Sequence, residues 1–331
     1  MKEIEKKLLQ EVQKRFPLEK RPYLALAQRC GLAEEEVLDY LESLKAQGIL
    51  RQISAIFHPP SFGYRTTLVA AMIPEERLPQ AVEVINAYPG VSHNYLRAHE
   101  FNIWFTIACP PHEELEERVA SLMDAAQAEK YLLLPIKRVF RIALILDLAE
   151  TDAPSPSQKR FSSQAFAPLD AQTIALVRAT QEDLPRVSRP FRALGEPLGL
   201  DEEDVLSWIE EGLQKGYIRR FAGLVKHTRA GFRGNVMVAW RVPQERVEEV
   251  GHLLAQDKRI THCYERASYP EWPYNLYTML HAREVEKALE HVKTLAHELD
   301  LTHYLPLVTL KEFKKTRLKL FWPDQGKEDK S

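Results

Sequence analysis

The chain of 331 residues repeats itself, and this duplication limits the folds open to it. The segment GILRQISAIF at 48–57 resembles GYIRRFAGLV at 216–225, which matches Arg51 with Arg219 at a spacing of 168 residues. The same spacing matches Pro17, Arg21 and Pro22 with Pro185, Arg189 and Pro190. Further along, the spacing becomes 169, where His93, Tyr95 and Arg97 match His262, Tyr264 and Arg266, and then 173, where Asn102 matches Asn275. So many matches in one order indicate a tandem duplication of a unit of roughly 150 residues.

Each copy begins with helical patterns and continues with strand patterns. The apolar residues of one helix face are Val37, Leu38, Leu41 and Leu44 in the first copy and Val205, Leu206, Ile209 and Leu213 in the second. Gly31 marks a turn before this helix and Gly48 its end. Helix, glycine turn, helix and strand is the order of a winged helix-turn-helix. The remainder, starting at the strand IRRFAGLVKH in the second copy, has the order β-β-α-β-β-α, which predicts an α+β fold of ferredoxin-like type.

A segment rich in Pro, Ser and Gln, AETDAPSPSQKRFSSQAFAP, separates the copies and is typical of a linker. The predicted limits are 1–50 and 169–218 for two helix-turn-helix domains, 51–148 and 219–322 for two ferredoxin-like domains, 149–168 for the linker and 323–331 for a tail. We expect the two copies to pack as a pseudo-dimer. The change in spacing from 169 to 173 is a short insertion in the second copy that contains Pro270, Trp272 and Pro273.

Composition excludes several classes of protein. A formal charge of −2 gives no general attraction to nucleic acid or to anionic membranes. The first segment, MKEIEKKLLQEVQKRF, is a charged amphipathic helix rather than a signal peptide, and no stretch approaches the roughly 18 apolar residues of a membrane span. Cys30, Cys109 and Cys263 are far apart and form no CxxC pair, which argues against a disulfide framework and against a zinc or iron–sulfur site. We therefore expect a cytoplasmic protein.

A helix-turn-helix followed by this α/β module resembles the Lrp/AsnC family of transcription regulators, whose second domain dimerises and binds amino acids. The resemblance implies two fused copies of a helix-turn-helix plus an Lrp/AsnC effector-type α/β sandwich. It also suggests DNA binding, which the charges oppose. Residues 33–45 carry five acids against one lysine, and residues 201–215 carry six acids against one lysine. Because a recognition helix must approach phosphates, we expect no sequence-specific DNA binding.

Two longer segments resemble the siroheme decarboxylases, Lrp/AsnC-like enzymes of the alternative haem pathway and of d-type haem biosynthesis. They are FAGLVKHTRAGFRGNVMVAWRVP with THCYERASYPEWPYNLYTMLH in the second copy, and RQISAIFHPPSFGYRTTLVAAMIP with GVSHNYLRAHEFNIWFTIACP in the first. The chain thus resembles a fusion of two subunits that are separate in many relatives. The resemblance implies conversion of siroheme to 12,18-didecarboxysiroheme, with no organic cofactor, because the iron tetrapyrrole is the substrate. The alternatives are a ligand-responsive regulator and a non-catalytic tetrapyrrole carrier.

This chemistry requires a proton donor, because a proton must replace each departing carboxylate. His262 is the preferred general acid, since histidine titrates near neutral pH. His227 has no histidine partner in the first copy, where Pro59 takes its place and His58 lies one residue earlier. We expect His227 to be an axial ligand of the substrate iron or a second acid. Each histidine has a purely structural alternative. His262 would form its hydrogen bonds within the sheet, and His227 would be an ordinary loop residue.

The substrate's carboxylates require cations, and its flat faces require an aromatic slot. Arg219, Arg220 and Arg266 are the expected clamps, because a guanidinium fork binds a carboxylate through two hydrogen bonds. Strand alternation predicts that Arg219 and Arg220 point to opposite faces, so that only one reaches the ligand. The expected first-copy residues are Arg51, His93 and Arg97.

The expected wall of the slot consists of Tyr264, Trp272, Tyr274 and Tyr277, although such rings often belong to a core. Alternation predicts that Tyr274 and Tyr277 face opposite ways. Asn275 would bind an acetate or cap the turn after Pro273. We expect one principal site, mainly in the second copy, and no membrane partner. The sequence permits a homodimer of the fused chain without requiring one.

Overall fold

A computed structural model describes residues 3–14, 16–142, 167–225, 234–282 and 284–322. In chain order the helices are α1 (Glu3–Lys14), α2 (Pro22–Cys30), α3 (Glu34–Ala46), α4 (Leu78–Ala87), α5 (Leu115–Ala125), α6 (Ala171–Thr180), α7 (Pro190–Gly195), α8 (Glu202–Lys215), α9 (Val247–Gln256) and α10 (Val285–Glu298). The strands are β1 (Leu50–Phe57), β2 (Arg65–Met72), β3 (Val91–Arg97), β4 (Ile103–Cys109), β5 (Lys130–Leu134), β6 (Ile136–Ile142), β7 (Ile218–Val225), β8 (Gly234–Trp240), β9 (Ile260–Arg266), β10 (Leu276–Ala282) and β11 (Tyr304–Lys315).

These elements form two compact units, and each unit contains parts of both copies. The helical unit is described over 3–64, 167–225 and 319–322, and the sheet unit over 65–142 and 234–318, with the single gap at 15 in the first and at 283 in the second. The predicted pairing of the copies as a pseudo-dimer therefore occurs domain by domain: the helix-turn-helix domains share one unit and the α/β domains share the other.

The helical unit confirms the two predicted helix-turn-helix motifs. The buried faces consist of Val37, Leu41 and Leu44 in α3 and of Val205 and Ile209 in α8. Gly31 and Gly199 form the turns before these helices at φ +74° and +67°, and Gly216 caps α8 at φ +90°. These left-handed values favour glycine, which lacks the Cβ atom that would be strained there.

The first acid of α3 and the first acid of α8 each have a cationic partner within their own copy. Arg21 pairs with Glu34, and at the matched positions Arg189 pairs with Glu202. Glu202 is buried, and a buried carboxylate is tolerated only when a cation or hydrogen bonds compensate it. Each pair ties the start of one helix of the motif to the start of the next.

Strands β1 and β7 pair with each other in an antiparallel ribbon that joins the two copies. The limits predicted at 50/51 and 218/219 place these strands in the α/β domains, whereas they belong to the helical unit. The reason is that each strand finds its hydrogen-bonding partner in its counterpart rather than in the large sheet. The register skips Arg51 in β1 and Arg219 in β7, so these matched residues are each the extra residue of a β-bulge.

The sheet unit contains a nine-stranded antiparallel sheet in the order β5-β2-β4-β3-β11-β8-β10-β9-β6. The first part of β11 pairs with β8 of its own copy, and its last part pairs with β3 of the other. In the first copy the equivalent segment is divided at Pro135 into β5, which pairs with β2, and β6, which pairs with β9. The copies thus exchange equivalent strands.

This sheet has a helix-covered face in each copy and an inner face that the copies share. Val69 and Phe105 belong to the core of the first copy, and Val238 and Leu280 to the core of the second. The inner core consists of residues from both copies, including Ala70, Trp104, Met237, Trp272, Tyr277 and Leu307. Two half-sheets that pack through such a core form the predicted α/β sandwich.

The three cysteines are buried and free. Among the helices of the described ranges, none is both long enough and apolar enough to cross a membrane.

Candidate functional site

A cleft of about 610 Å³ in the helical unit is lined by both apolar and charged side chains. The apolar lining includes Phe16, Leu213 and Phe221. Its charged residues are the cations Lys14, Arg29, Arg219 and Arg220 and the acids Glu19 and Glu210. Cations therefore outnumber acids along the described lining, and this combination suits a large anion with apolar faces.

The bulge at Arg219 explains why Arg219 and Arg220 both line this cleft. The prediction that they point to opposite faces assumes regular strand alternation, which the extra residue of a bulge breaks. Nη1 of Arg220 donates a long hydrogen bond of 3.5 Å to the Gln13 carbonyl, and its Nε has no hydrogen-bond partner among the described residues. Burial lowers the pKa of the Arg220 guanidinium. Arg51, on the matched bulge, is exposed and lies outside the cleft lining.

His58 is a buried histidine of the helical unit to which the sequence assigned no role. Its Nδ1 lies 2.8 Å from Oγ of Ser61. Loss of solvation, with a further contribution from the charge of Arg219, lowers the pKa of His58 to about 4. The imidazole is therefore neutral at pH 7. In the sequence, His58 stands out only because it lies one residue before Pro59, the residue that matches His227.

In the sheet unit, the matched His-x-Tyr-x-Arg segments of β3 and β9 face the inner side of the sheet. Tyr95 lies opposite Trp104, and Tyr264 lies opposite Tyr277, in both cases a residue of the inner core. Directly opposed residues of an antiparallel pair share a face. The rings of His262 and Tyr264 are 5.9 Å apart, and Nδ1 of His262 lies 2.9 Å from Oγ1 of Thr261.

Arg97 and Arg266 are bound reciprocally between the copies. Nη1 of Arg266 donates to the Leu134 carbonyl at 2.6 Å, and Nη1 of Arg97 donates to the matched Leu307 carbonyl at 2.8 Å. Each guanidinium also lies over the tyrosine two residues before it, at 5.1 Å for Arg266 and 5.4 Å for Arg97. Their exposed fractions are 8% and 3%, and burial lowers the pKa of both, to about 10 for Arg97. These bonds give both arginines a role in holding the copies together, beside the clamp role expected from the sequence.

The insertion of the second copy fills the inner core with Trp272, whose exposed fraction is 3%. Its ring packs against Phe101 and Trp104 of the first copy, at centroid distances of 5.4 and 5.7 Å. Nε1 of Trp272 donates a hydrogen bond of 2.6 Å to the Tyr277 hydroxyl. This residue therefore packs the two copies together.

Tyr274 and Tyr277 both pack in the inner core, so the prediction that they face opposite ways is wrong. Tyr274 precedes β10, which begins at Leu276, and strand alternation does not extend to it. Asn275 binds backbone with both ends of its amide: Oδ1 accepts from Val242 N at 3.0 Å, and Nδ2 donates to Val242 O at 2.8 Å. The matched Asn102 binds Ile73 in the same way.

The expected site residues therefore fall into two groups. Arg51, Arg219 and Arg220 belong to the helical unit, and the others that the structure describes belong to the sheet unit. His227 lies outside the described residues. Within the described part of the chain, no group of three or more His, Cys, Asp or Glu residues could hold a metal ion.

Two domain families match the chain, each of them once in each copy. The AsnC-like ligand binding domain matches residues 61–141 and 229–314. The siroheme decarboxylase NirDL-like HTH domain matches residues 5–51 and 174–219.

Some relatives match most of the chain, and others match less than half of it. The siroheme decarboxylase of Hydrogenobacter thermophilus is 36% identical over 319 residues, which cover 95% of this chain and 94% of that protein. The siroheme decarboxylase beta subunit of Oleidesulfovibrio alaskensis is 42% identical over 148 residues, which cover 44% of this chain and 94% of that subunit. A crystal structure of the siroheme decarboxylase NirDL in co-complex with an iron-uroporphyrin III analogue has a TM-score of 0.79 at 33% identity, over 96% of this chain and 94% of that chain.

Proposed function

Because the chain belongs to the siroheme decarboxylase family and is a carboxy-lyase, we propose that it removes carbon dioxide from the ring acetates at C12 and C18 of siroheme. The product is 12,18-didecarboxysiroheme, an intermediate of haem or d-type haem biosynthesis. The observation that carries the proposal is the cleft of the helical unit, where Arg219 and Arg220 lie beside apolar side chains. Siroheme is a flat macrocycle edged with carboxylates, and this lining offers partners for both features.

The reaction consumes one proton for each carbon dioxide released. The bond between the methylene carbon and the carboxylate carbon of a ring acetate breaks, and its electron pair stays on the methylene carbon, in conjugation with the macrocycle. A proton then completes the methyl group, which is the work of a general acid. The macrocycle serves as the electron sink, so this scheme needs no organic cofactor.

We assign the proton donor to His262 and the carboxylate clamps to Arg219 and Arg220. His262 is half-buried, and Tyr264 and Thr261 hold its ring on the inner face of the sheet. The clamps belong to the helical unit, so each assignment is tested by its own variants. His227 remains the proposed axial ligand of the substrate iron or second acid.

We propose no sequence-specific DNA binding, in contrast to a regulator of the same fold. The first turn of α3 carries Glu34, Glu35 and Glu36, and that of α8 carries Glu202, Glu203 and Asp204. The bonds of Arg21 to Glu34 and of Arg189 to Glu202 use cations that a DNA-binding motif would direct to phosphates.

Anaerobic incubation of the purified chain with siroheme, followed by mass spectrometry of the tetrapyrrole, tests the proposal. We expect the loss of two carbon dioxide masses. Unchanged siroheme would contradict the enzyme assignment, and siroheme that is bound but unchanged would favour a carrier. His262→Ala and His227→Ala, measured separately, test the acid: native rates in both variants would exclude these histidines.

A further inference from the structure

The hydroxyl of Thr261 lies between two imidazoles on neighbouring strands. Its Oγ1 is 2.9 Å from Nδ1 of His262 on β9 and 3.0 Å from Nε2 of His281 on β10. The Thr261 side chain is only 4% exposed, so solvent does not compete freely for these bonds. The three side chains form a hydrogen-bonded chain that ends on the proposed general acid.

A β-bulge brings Thr261 into this position. The register of β9 against β10 pairs His262 with Met279 and Ile260 with Leu280, and skips Thr261. Ile260 belongs to the helix-side core, so the bulge lets the chain bury Ile260 on one face and present His262 on the other. Bulges of this kind redirect one side chain out of the regular alternation.

The chemistry of a hydroxyl sets the direction of the hydrogen bonds. A hydroxyl has one proton and two acceptor positions, so Thr261 can donate to only one imidazole at a time. When His262 is protonated, its Nδ1–H must donate to Oγ1, and the Thr261 proton is then available to Nε2 of His281 or to the Met279 carbonyl at 3.4 Å. The chain can therefore stabilise the charged form of His262.

This arrangement distinguishes the second copy from the first. Ser92 Oγ lies 2.9 Å from Nδ1 of His93 and repeats the bond between Thr261 and His262. At the spacing of 173, however, His281 matches Ala108, which has no polar side chain. Both copies therefore form the bond between a hydroxyl and the histidine that follows it. In the second copy, His281 extends this bond to a chain of three side chains.

We propose that Thr261 and His281 are positioning residues for the decarboxylation: they hold Nδ1 of His262 so that Nε2 delivers the proton to the substrate. This inference rests on the assignment of His262 as the acid under the proposed function. Thr261 supplies the acceptor for the imidazolium, and His281 accepts in turn from Thr261. Neither residue needs to touch the substrate.

Other ionisable groups lie on β9 itself and on the two strands that pair with it, β6 and β10. On β9, Tyr264 lies next to His262, and Arg266 lies over Tyr264. On β6, the strand on the other side, Arg141 donates to the Ala255 and Asp257 carbonyls, and Arg138 pairs with Glu248 and Glu265. On β10, His281 is the titratable residue that reaches His262 through Thr261.

The test compares the pH dependence of kcat in Thr261→Val, Thr261→Ser and His281→Ala. In Thr261→Val the imidazolium of His262 loses its acceptor and is deprotonated at lower pH. We expect the high-pH limb of kcat to move down by about one pH unit, with a loss of about tenfold in kcat and little change in KM. Thr261→Ser should restore the native limb, and His281→Ala should move it in the same direction by less.

Two comparisons keep this inference separate from the proposed function. Ser92→Ala, the matched change in the first copy, should leave the limb in place, and an equal shift there would overturn the assignment to the second copy. If His262→Ala abolishes decarboxylation while Thr261→Val and His281→Ala keep the native pH profile, the positioning role is overturned and the acid assignment stands. If His262→Ala keeps the native rate, the acid assignment itself fails, and the positioning role fails with it.

Discussion

Replacing Asn275 with alanine tests whether this residue serves the fold or the substrate. Its amide forms two hydrogen bonds with the backbone of Val242, at 3.0 Å to the N–H and 2.8 Å to the carbonyl. Val242 is 3% exposed, so water cannot replace the lost partners without opening the sheet unit. The change therefore leaves two buried backbone groups unsatisfied.

The expected cost follows from these two groups. An unsatisfied buried donor or acceptor costs about 1–3 kcal/mol, so Asn275→Ala should lower the free energy of unfolding of the sheet unit by about 3 kcal/mol. The matched variant Asn102→Ala should cost a similar amount, because Asn102 bonds to N and O of Ile73 at 3.0 and 2.7 Å. Agreement between the two variants would link the cost to this bond pattern rather than to the insertion next to Asn275.

Urea unfolding followed by tryptophan fluorescence measures this cost, since Trp104, Trp240 and Trp272 all lie in the sheet unit. With a denaturant slope of about 2–3 kcal/mol per molar, the midpoint should fall by about 1 M. Decarboxylation per folded molecule should persist. A stability change under 1 kcal/mol, together with loss of siroheme binding, would refute the structural role and support binding of an acetate.

Three further predictions concern packing, binding and pH. Trp272→Ala should destabilise the sheet unit by about 3–5 kcal/mol in the same urea experiment, because the ring fills a core shared by both copies; a change below 1 kcal/mol would show that the core does not depend on it. Arg220→Met and Arg219→Met should each raise KM for siroheme about tenfold in steady-state assays, the effect of losing a charge-assisted hydrogen bond. Arg51→Met should have a smaller effect, because Arg51 is exposed and lies outside the cleft lining. Equal effects in all three variants would contradict the role of the cleft. Because the pKa of His58 falls from 6.5 to about 4 on folding, the unfolded chain binds the proton first, and the stability of the helical unit should decrease as pH falls through this window. In His58→Gln this part of the pH dependence should disappear, and an unchanged slope in urea midpoints would contradict the assignment.

The duplication, the order of helices and strands, and the helix-turn-helix motifs could be predicted from local patterns. Apolar spacing and glycine positions depend on residues close in sequence. The predictions made from them were confirmed for α3, α8 and the turn at Gly31. The strand alternation argument does not apply to Arg219, which is the extra residue of a bulge, and it was wrong for Tyr274. Bulges arise from the pairing of two strands, and a strand's first residue depends on its partner, so neither can be identified from one segment alone.

The sequence by itself determined that the chain contains two copies of one fold, which residues the copies share, and that Trp272 belongs to what the second copy adds. The tertiary structure decided which copy each of these side chains contacts. Arg97 and Arg266 bind carbonyls of the opposite copy, and Trp272 packs on the first copy although it belongs to the second. The physical reason is that matched strands of a duplicated chain can satisfy their hydrogen bonds with either copy, and only the assembled sheet fixes the choice. The bond from Thr261 to His281 depends on the same pairing of β9 with β10 and on the bulge within it.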